Sequence, residues 1–325
     1  LTRKGGSDII RVKIKDGEMA KLKVGVVGVG ALGSIHARIY SELESVELVG
    51  ICDIDKGRLR DTQDKLGVEG HTDYRKLIGH VDAVSVVVPT NLHFPISKDL
   101  LKAGVHLLIE KPITETVEQA DELLEIAGAN KLALAVGHIE RFNAAIEAIQ
   151  RLKGDIKFIE CHRLGPFAPR IKDVGVVLDL MIHDIDIILG LVRSPVKSIE
   201  AVGVKILSKN EDIANARISF ENGAVCNITA SRVTAYTMRK IRMFQPNAYI
   251  SLDYVKQDAV IYKKQLGRIV SEQIDIKKEK PLQKEIASFV ECVRSGKKPL
   301  VSGEDGRQAL SVATEILKKI NEAIT

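Results

Sequence analysis

Two stretches of this 325-residue chain hold residue types at spacings that suit chemistry. The first is Glu110-Lys111-Pro112, directly after the apolar run Val105–Ile109. A lysine beyond the carboxyl end of a strand in an open parallel sheet projects into the ligand crevice. There it can donate a hydrogen bond to a hydroxyl or ketone oxygen, and burial beside a positive charge lowers its pKa. The plainer alternative is a solvated lysine at a strand end. The second is Asp179-x-x-x-His183-x-x-Asp186, set in an otherwise apolar stretch. On a helix, spacings of four and three put the three side chains on one face. Polar groups on an apolar stripe need partners or water. His183 then suits a general base near neutral pH, with Asp179 orienting it. The alternative is that Asp179 and His183 cap loops or pair with lysines. No metal site is expected, because no second His or Cys cluster is placed to complete one.

Such groups need a frame, and the N-terminal part of the chain predicts one. Val24, Val26 and Val27 lead into Gly28-x-Gly30-x-x-Gly33, and a helical pattern follows with Leu32, Ile35, Ile39, Tyr40 and Leu43. The first glycine allows a tight turn, the second a close approach to a pyrophosphate, and the third close helix–strand packing. A second strand, Val46 to Ile51, ends in Cys52-Asp53, twenty residues after Gly33. An acidic residue at that distance accepts hydrogen bonds from adenosine ribose hydroxyls and disfavours a 2′-phosphate. The pattern predicts a dinucleotide site formed by Gly28, Val29, Gly30, Ala31, Leu32, Asp53 and Ile54, with NAD preferred over NADP.

Strand and helix keep alternating to about residue 139, through Ala83–Val88, Ile96–Ala103, Val105–Ile109, Val117–Ala129 and Leu132–Val136. Continuous apolar strands between amphipathic helices predict a parallel sheet covered on both faces. From Lys157 onward the pattern is mostly strands, with an Asn-Gly hairpin signal at Asn222-Gly223. One long helix, Val176–Leu191, interrupts them, and Leu282–Arg294 and Asp305–Ile320 close the chain. The expected architecture is α/β, a doubly wound Rossmann domain over 19–142. An α+β domain with a largely antiparallel open sheet follows over 143–325. Residues 1–18 read as an upstream or non-native extension.

Composition narrows the classes. A hydrophobic fraction of 45% and a charged fraction of 28% are those of a globular protein with full cores. The net charge of +5 is mild and the lysines are scattered, so nucleic acid is a poor partner. Four distant cysteines without a C-x-x-C fit reduced thiols in the cytoplasm. The most apolar long stretch, Val174 to Val192, is interrupted by charged residues, so no membrane span is expected.

In sequence order, GVGALG, Pro89-Thr90-Asn91-x-His93, Glu110-Lys111-Pro112 and Asp179-x-x-x-His183-x-x-Asp186 resemble the Gfo/Idh/MocA oxidoreductases. The resemblance runs from about residue 21 to the C-terminus. It implies a Rossmann domain and a C-terminal α+β domain whose open sheet mediates homodimers or homotetramers. It also implies Lys111 and His183 as the catalytic pair, with Asp179 beside them. Pro89, Thr90, Asn91 and His93 would line the nicotinamide side, joined by Glu110. Asp173-Val174-Gly175-Val176-Val177 and Met181 depart from the glycine-rich pattern usual there, which bears on local substrate contacts.

A finer resemblance rests on Gly137–Asn143, His162–Phe167, Leu178–Asp184 and Phe244-Gln245-Pro246. These look like the branch that includes UDP-N-acetylglucosamine 3-dehydrogenases. Arg163, Arg170 and Lys172 would hold a diphosphate by charge-assisted bonds, and His138 and Arg141 would reach the sugar. The alternative for each is an ordinary surface charge or ion pair. The expected activity is NAD-dependent oxidation of a sugar hydroxyl. Two rivals stand beside it: an inositol or free-sugar dehydrogenase, and a non-catalytic dinucleotide-sensing regulator. Which of Lys111 and His183 takes the proton stays open.

Overall fold

The structure is a computed structural model that describes residues 14–15, 18–150, 154–167 and 174–322. The expected N-terminal extension lies mostly outside the described residues, as do Arg170 and Lys172. Strands β1 (Ile14–Lys15) and β2 (Glu18–Met19) form a short antiparallel pair. The chain divides into two compact units, one running to Gly137 and regaining Gln283–Gly303, the other comprising His138–Leu282 and Glu304 onward. Among the described residues no helix is long and apolar enough to cross a membrane.

The first unit is built on β3 (Leu22–Val27), β4 (Val46–Cys52), β5 (Glu69–His71), β6 (Ala83–Val86), β7 (His106–Glu110) and β8 (Leu134–Gly137). They pair in parallel in the order β5-β4-β3-β6-β7-β8. This is the doubly wound Rossmann order, which reverses between β3 and β6 and opens a ligand crevice beyond their carboxyl ends. The helices between them are α1 (Gly33–Glu42), α2 (Lys56–Leu66), α3 (Thr90–Lys102) and α4 (Val117–Ala129). Local chemistry sets their ends. Asp55 caps α2 by accepting from the amides of Gly57 and Arg58, and Thr116 caps α4 by accepting from Gln119. Most of α7 (Pro281–Ser295) also belongs here, and Arg294 donates to the Ser45 carbonyl at 3.0 Å.

The second unit holds an eight-stranded sheet: β9 (Phe158–Leu164), β10 (Val196–Val204), β11 (Ile213–Phe220), β12 (Val225–Ser231), β13 (Met238–Gln245), β14 (Ala248–Asp253), β15 (Asp258–Gln265) and β16 (Arg268–Gln273). Their order is β10-β11-β12-β9-β13-β14-β15-β16, antiparallel throughout except between β12 and β9. One face packs on α5 (Ala144–Gln150), α6 (Ile182–Val192) and α8 (Gly303–Glu322). Ile146, Ile185, Ile188, Ala313 and Ile316 are all fully buried there among Ile159, Ile218 and Ile228.

Two expectations need correction. The helix expected over Val176–Leu191 is divided: Val177–Met181 forms a π-turn, and α6 begins only at Ile182. Glu211 explains the start, because its carboxylate accepts from the Val177 amide and its carbonyl from the Val176 amide. Along α1, Leu32 and Ile35 are exposed, and the buried face is Gly33, His36, Ala37, Ile39 and Tyr40. A polar His36 occupies the stripe where the apolar pattern placed Ile35.

Candidate functional site

In the first unit the glycine turn follows β3. Gly28 donates to the Cys52 carbonyl at 2.7 Å and has φ +89°. A Cβ on Gly28 would strike the Val87 carbonyl, and one on Gly33 would strike the Gly28 carbonyl. Protein packing therefore dictates both glycines. Gly30 is different: the nearest atom to a Cβ there is Arg58 Nη1 at 3.9 Å. Nothing in the fold demands a glycine at that position, but an approaching diphosphate would. The first turn of α1 has Leu32 at its N-cap and no side-chain cap, so its leading amides suit an anion.

Asp53 lies at the end of β4. Its Oδ2 accepts from the Val29 amide and its Oδ1 from the Asp55 amide, both at 2.9 Å. The carboxylate thus braces the glycine turn and still offers lone pairs to ribose hydroxyls. Ile54 beside it is 84% exposed, an apolar surface next to that carboxylate. These features fit a dinucleotide. Pro89 caps α3, and Thr90 and Asn91 form its first turn beyond β6. His93 does not join them. It is fully buried, with Nδ1 2.9 Å from the Pro112 carbonyl and Nε2 2.9 Å from the Val88 carbonyl, tying two strand-end loops together. Burial pushes its pKa down, against the opposing pull of those carbonyls. His93, expected to line the crevice, is thus engaged by the Val88 and Pro112 carbonyls inside the fold.

Lys111 stands at the carboxyl end of β7, partly exposed, before the cis-proline Pro112. Its amide donates to Glu110 Oε2 at 3.2 Å. Glu110 in turn faces His36 Nε2 at 3.4 Å. Sequence reasoning missed His36 and Glu285, which lies close to both.

In the second unit the π-turn carries Asp179 and the first turn of α6 carries His183, both partly exposed. His138, fully buried, packs edge-on against the His183 ring with centroids 6.3 Å apart. Asp186 parts company with this pair. It is buried and ion-paired with Arg141 at 2.9 Å, and Arg141 also reaches Asp305 at 3.3 Å. The shared face expected for Asp179, His183 and Asp186 is therefore lost at its last member. Gly190 makes room for the guanidinium, which a Cβ there would strike.

Burial pushes Asp186 up to about 7, against the pull of Arg141. A carboxyl raised above its unfolded value of about 3.9 stabilises the fold fully below that value. The contribution is lost as pH climbs toward about 7. Asp186→Asn is expected to remove that falling segment from a plot of melting temperature against pH between those limits.

Arg163 is likewise internal. Its Nε and Nη2 grip Asp184 at 2.8 and 3.0 Å, its Nη1 meets Glu140 at 2.9 Å, and its Cζ lies 5.2 Å from the Tyr254 ring. Arg141 and Arg163, expected at the substrate, both hold their guanidiniums in buried ion pairs of the fold.

Residues 22–138 match the oxidoreductase family with an NAD-binding Rossmann fold, and residues 145–250 match the GFO/IDH/MocA C-terminal domain. The chain is 35% identical over 305 residues to a UDP-N-acetylglucosamine 3-dehydrogenase of Acidithiobacillus ferrooxidans, covering 92% of this chain and 97% of that protein. The solved structure of that enzyme superposes with a TM-score of 0.90 at 34% identity, over 94% of this chain and all of the other. A myo-inositol 2-dehydrogenase of Thermotoga maritima is 28% identical over 323 residues, covering 93% of this chain and 97% of its own.

Proposed function

This chain belongs to the GFO/IDH/MocA oxidoreductases, and from that premise we propose that it oxidises C3 of UDP-N-acetylglucosamine or a related nucleotide sugar, with NAD. Full-length similarity to the Acidithiobacillus enzyme is the observation that supports the substrate most. NAD supplies the hydride acceptor when bound. The α1 amides and Gly30 hold its diphosphate, Asp53 accepts from its ribose, and Thr90 and Asn91 flank its nicotinamide end. Lys111 donates to the reacting oxygen and steadies the negative charge that develops on it. His183 takes the hydroxyl proton and Asp179 orients its ring.

Asp53→Ala is expected to weaken NAD binding by about 10- to 100-fold, from the ~1.5–3 kcal/mol of a hydrogen bond to a charged group. Titration calorimetry with NAD and NADP checks this: NADP affinity should not fall in parallel.

The internal pairing of Arg163 takes up one of the three charges expected at a diphosphate, and this favours the second reading, oxidation of a free polyol or sugar. Absorbance of reduced nicotinamide, followed with UDP-N-acetylglucosamine, myo-inositol and glucose and with or without 2-oxoglutarate, separates the two. Turnover with the nucleotide sugar supports the first reading. Turnover only with inositol or glucose replaces it.

The homo-oligomer reading finds support on the open sheet. Phe158, Phe244, Tyr249 and Tyr262 stack across four strands with centroids 4.9 to 5.6 Å apart, and Val202 and Val204 are exposed on β10. A monomer mass by light scattering would end it.

A further inference from the structure

One buried cluster in the first unit has no part in the chemistry above. His36 on α1 is fully buried, with Nδ1 3.3 Å from Ser85 Oγ. The Tyr40 hydroxyl lies 2.8 Å from the same oxygen. His36 Nε2 faces Glu110 Oε1 at 3.4 Å. Glu285 on α7, only 2% exposed, brings a second carboxylate, and one oxygen or ring nitrogen from each of the three residues lies within 4.8 Å of the others. Three elements distant in sequence therefore meet at the carboxylate that precedes Lys111. Glu110 Oε2 accepts from the Lys111 amide at 3.2 Å. Gly137, at the end of β8, leaves the carboxylate its place: a Cβ there would lie 2.8 Å from Oε1.

We propose that His36, Glu110 and Glu285 are positioning residues for Lys111, a buried relay in which an imidazole and two carboxylates hold the end of β7 in register with the glycine turn before α1. The proposal rests on the reading of Lys111 as the residue that meets the reacting oxygen. Two carboxylates this close in dry surroundings do not both stay charged without a compensating proton or cation. The Ser85 hydroxyl bridges the Tyr40 hydroxyl and His36 Nδ1, and His36 Nε2 lies 3.4 Å from Glu110 Oε1. His36 also sits three residues after Gly33, so the relay runs from the turn that receives the diphosphate to the strand that carries Lys111. The titratable groups around Glu110 are His36 and Tyr40 on α1, Glu285 on α7, His93 on α3 and Lys111 itself. When the Glu110 carboxylate is displaced, its hold on the Lys111 amide changes.

The test uses the full-length enzyme with NAD and whichever sugar it turns over. His36→Gln and Glu285→Gln alter the relay directly. Gly137→Ala removes no charge and nudges the Glu110 carboxylate, so it stays informative should a charge-changing variant fail to fold. A misplacement of the reacting group predicts kcat lowered about 10- to 100-fold with KM and NAD affinity within about threefold. The acid limb of kcat against pH should also move in Glu285→Gln. A merely structural cluster would lower the melting temperature and leave that limb where it was. Wild-type kcat and pH profile in folded Glu285→Gln and Gly137→Ala overturn the relay. So does a stoichiometric metal ion found by elemental analysis, which would make the cluster a metal site. Lys111→Ala, run alongside, separates the two claims: full turnover in that variant removes the Lys111 reading and the relay with it. Loss there with unaffected relay variants removes the relay alone.

Discussion

Lys111→Ala is expected to lower kcat by about 100- to 10,000-fold, the range for one positioned acid–base or charge-stabilising group. Folding should survive, because Lys111 is partly exposed at a strand end and its loss opens no core cavity. NAD affinity should survive as well, since the proposed arrangement gives the other end of the dinucleotide to the glycine turn and Asp53. Stopped-flow reduction of NAD with the active sugar, set beside a melting curve and an NAD titration, reads all three. His183→Ala should show the same pattern. Lys111→Arg then asks which of the two carries the proton. Arginine stays protonated, so it preserves donation to the oxygen but cannot accept a proton. Partial activity in Lys111→Arg with none in His183→Ala assigns the base to His183. Little loss in either alanine variant would bring forward the dinucleotide-sensing regulator.

Much of the first unit was legible because its signals are local. Gly33 is required by the Gly28 carbonyl a few residues back, Gly28 has the positive φ of a tight turn, and Asp53 sits at the end of the next strand. The strand–helix alternation followed from continuous apolar runs. Short β5 and fully exposed β16 escaped because neither has a buried face to mark it. The start of the π-turn escaped too, since the Glu211 that receives its first amides lies more than thirty residues downstream. His36 and Glu285 are isolated polar residues on buried helix faces, and only tertiary contact makes a cluster of them. Arg163 is a different case. Along β9 the buried positions are Ile159, Cys161 and Arg163, alternating with partly exposed ones. Period-two reading places Arg163 inward, and a buried arginine in a strand asks for a carboxylate. The residues near it in sequence suggested a diphosphate instead, while Asp184, its actual partner, was hidden in an apolar helix.

That correction carries the second large effect. Arg163→Ala is expected to destabilise the fold by about 3–5 kcal/mol, because it leaves Asp184 buried and uncompensated. At roughly 2–4 °C per kcal/mol for a unit of this size, the melting temperature should fall by about 6–20 °C. Arg163→Lys should recover only part of this, since an ammonium cannot bridge both Asp184 oxygens and Glu140 at once. The informative control is Arg163→Met combined with Asp184→Leu. Replacing both members of a buried pair with apolar residues of similar volume is often neutral or stabilising, so the double variant should melt well above Arg163→Ala. Glu140, 12% exposed, can turn toward solvent when its partner goes. If the arginine instead gripped a substrate diphosphate, the single variant would melt near wild type and raise only the KM for the nucleotide sugar. A large loss of stability with no selective rise in that KM places Arg163 in the scaffold. Recognition of any diphosphate would then fall to other residues.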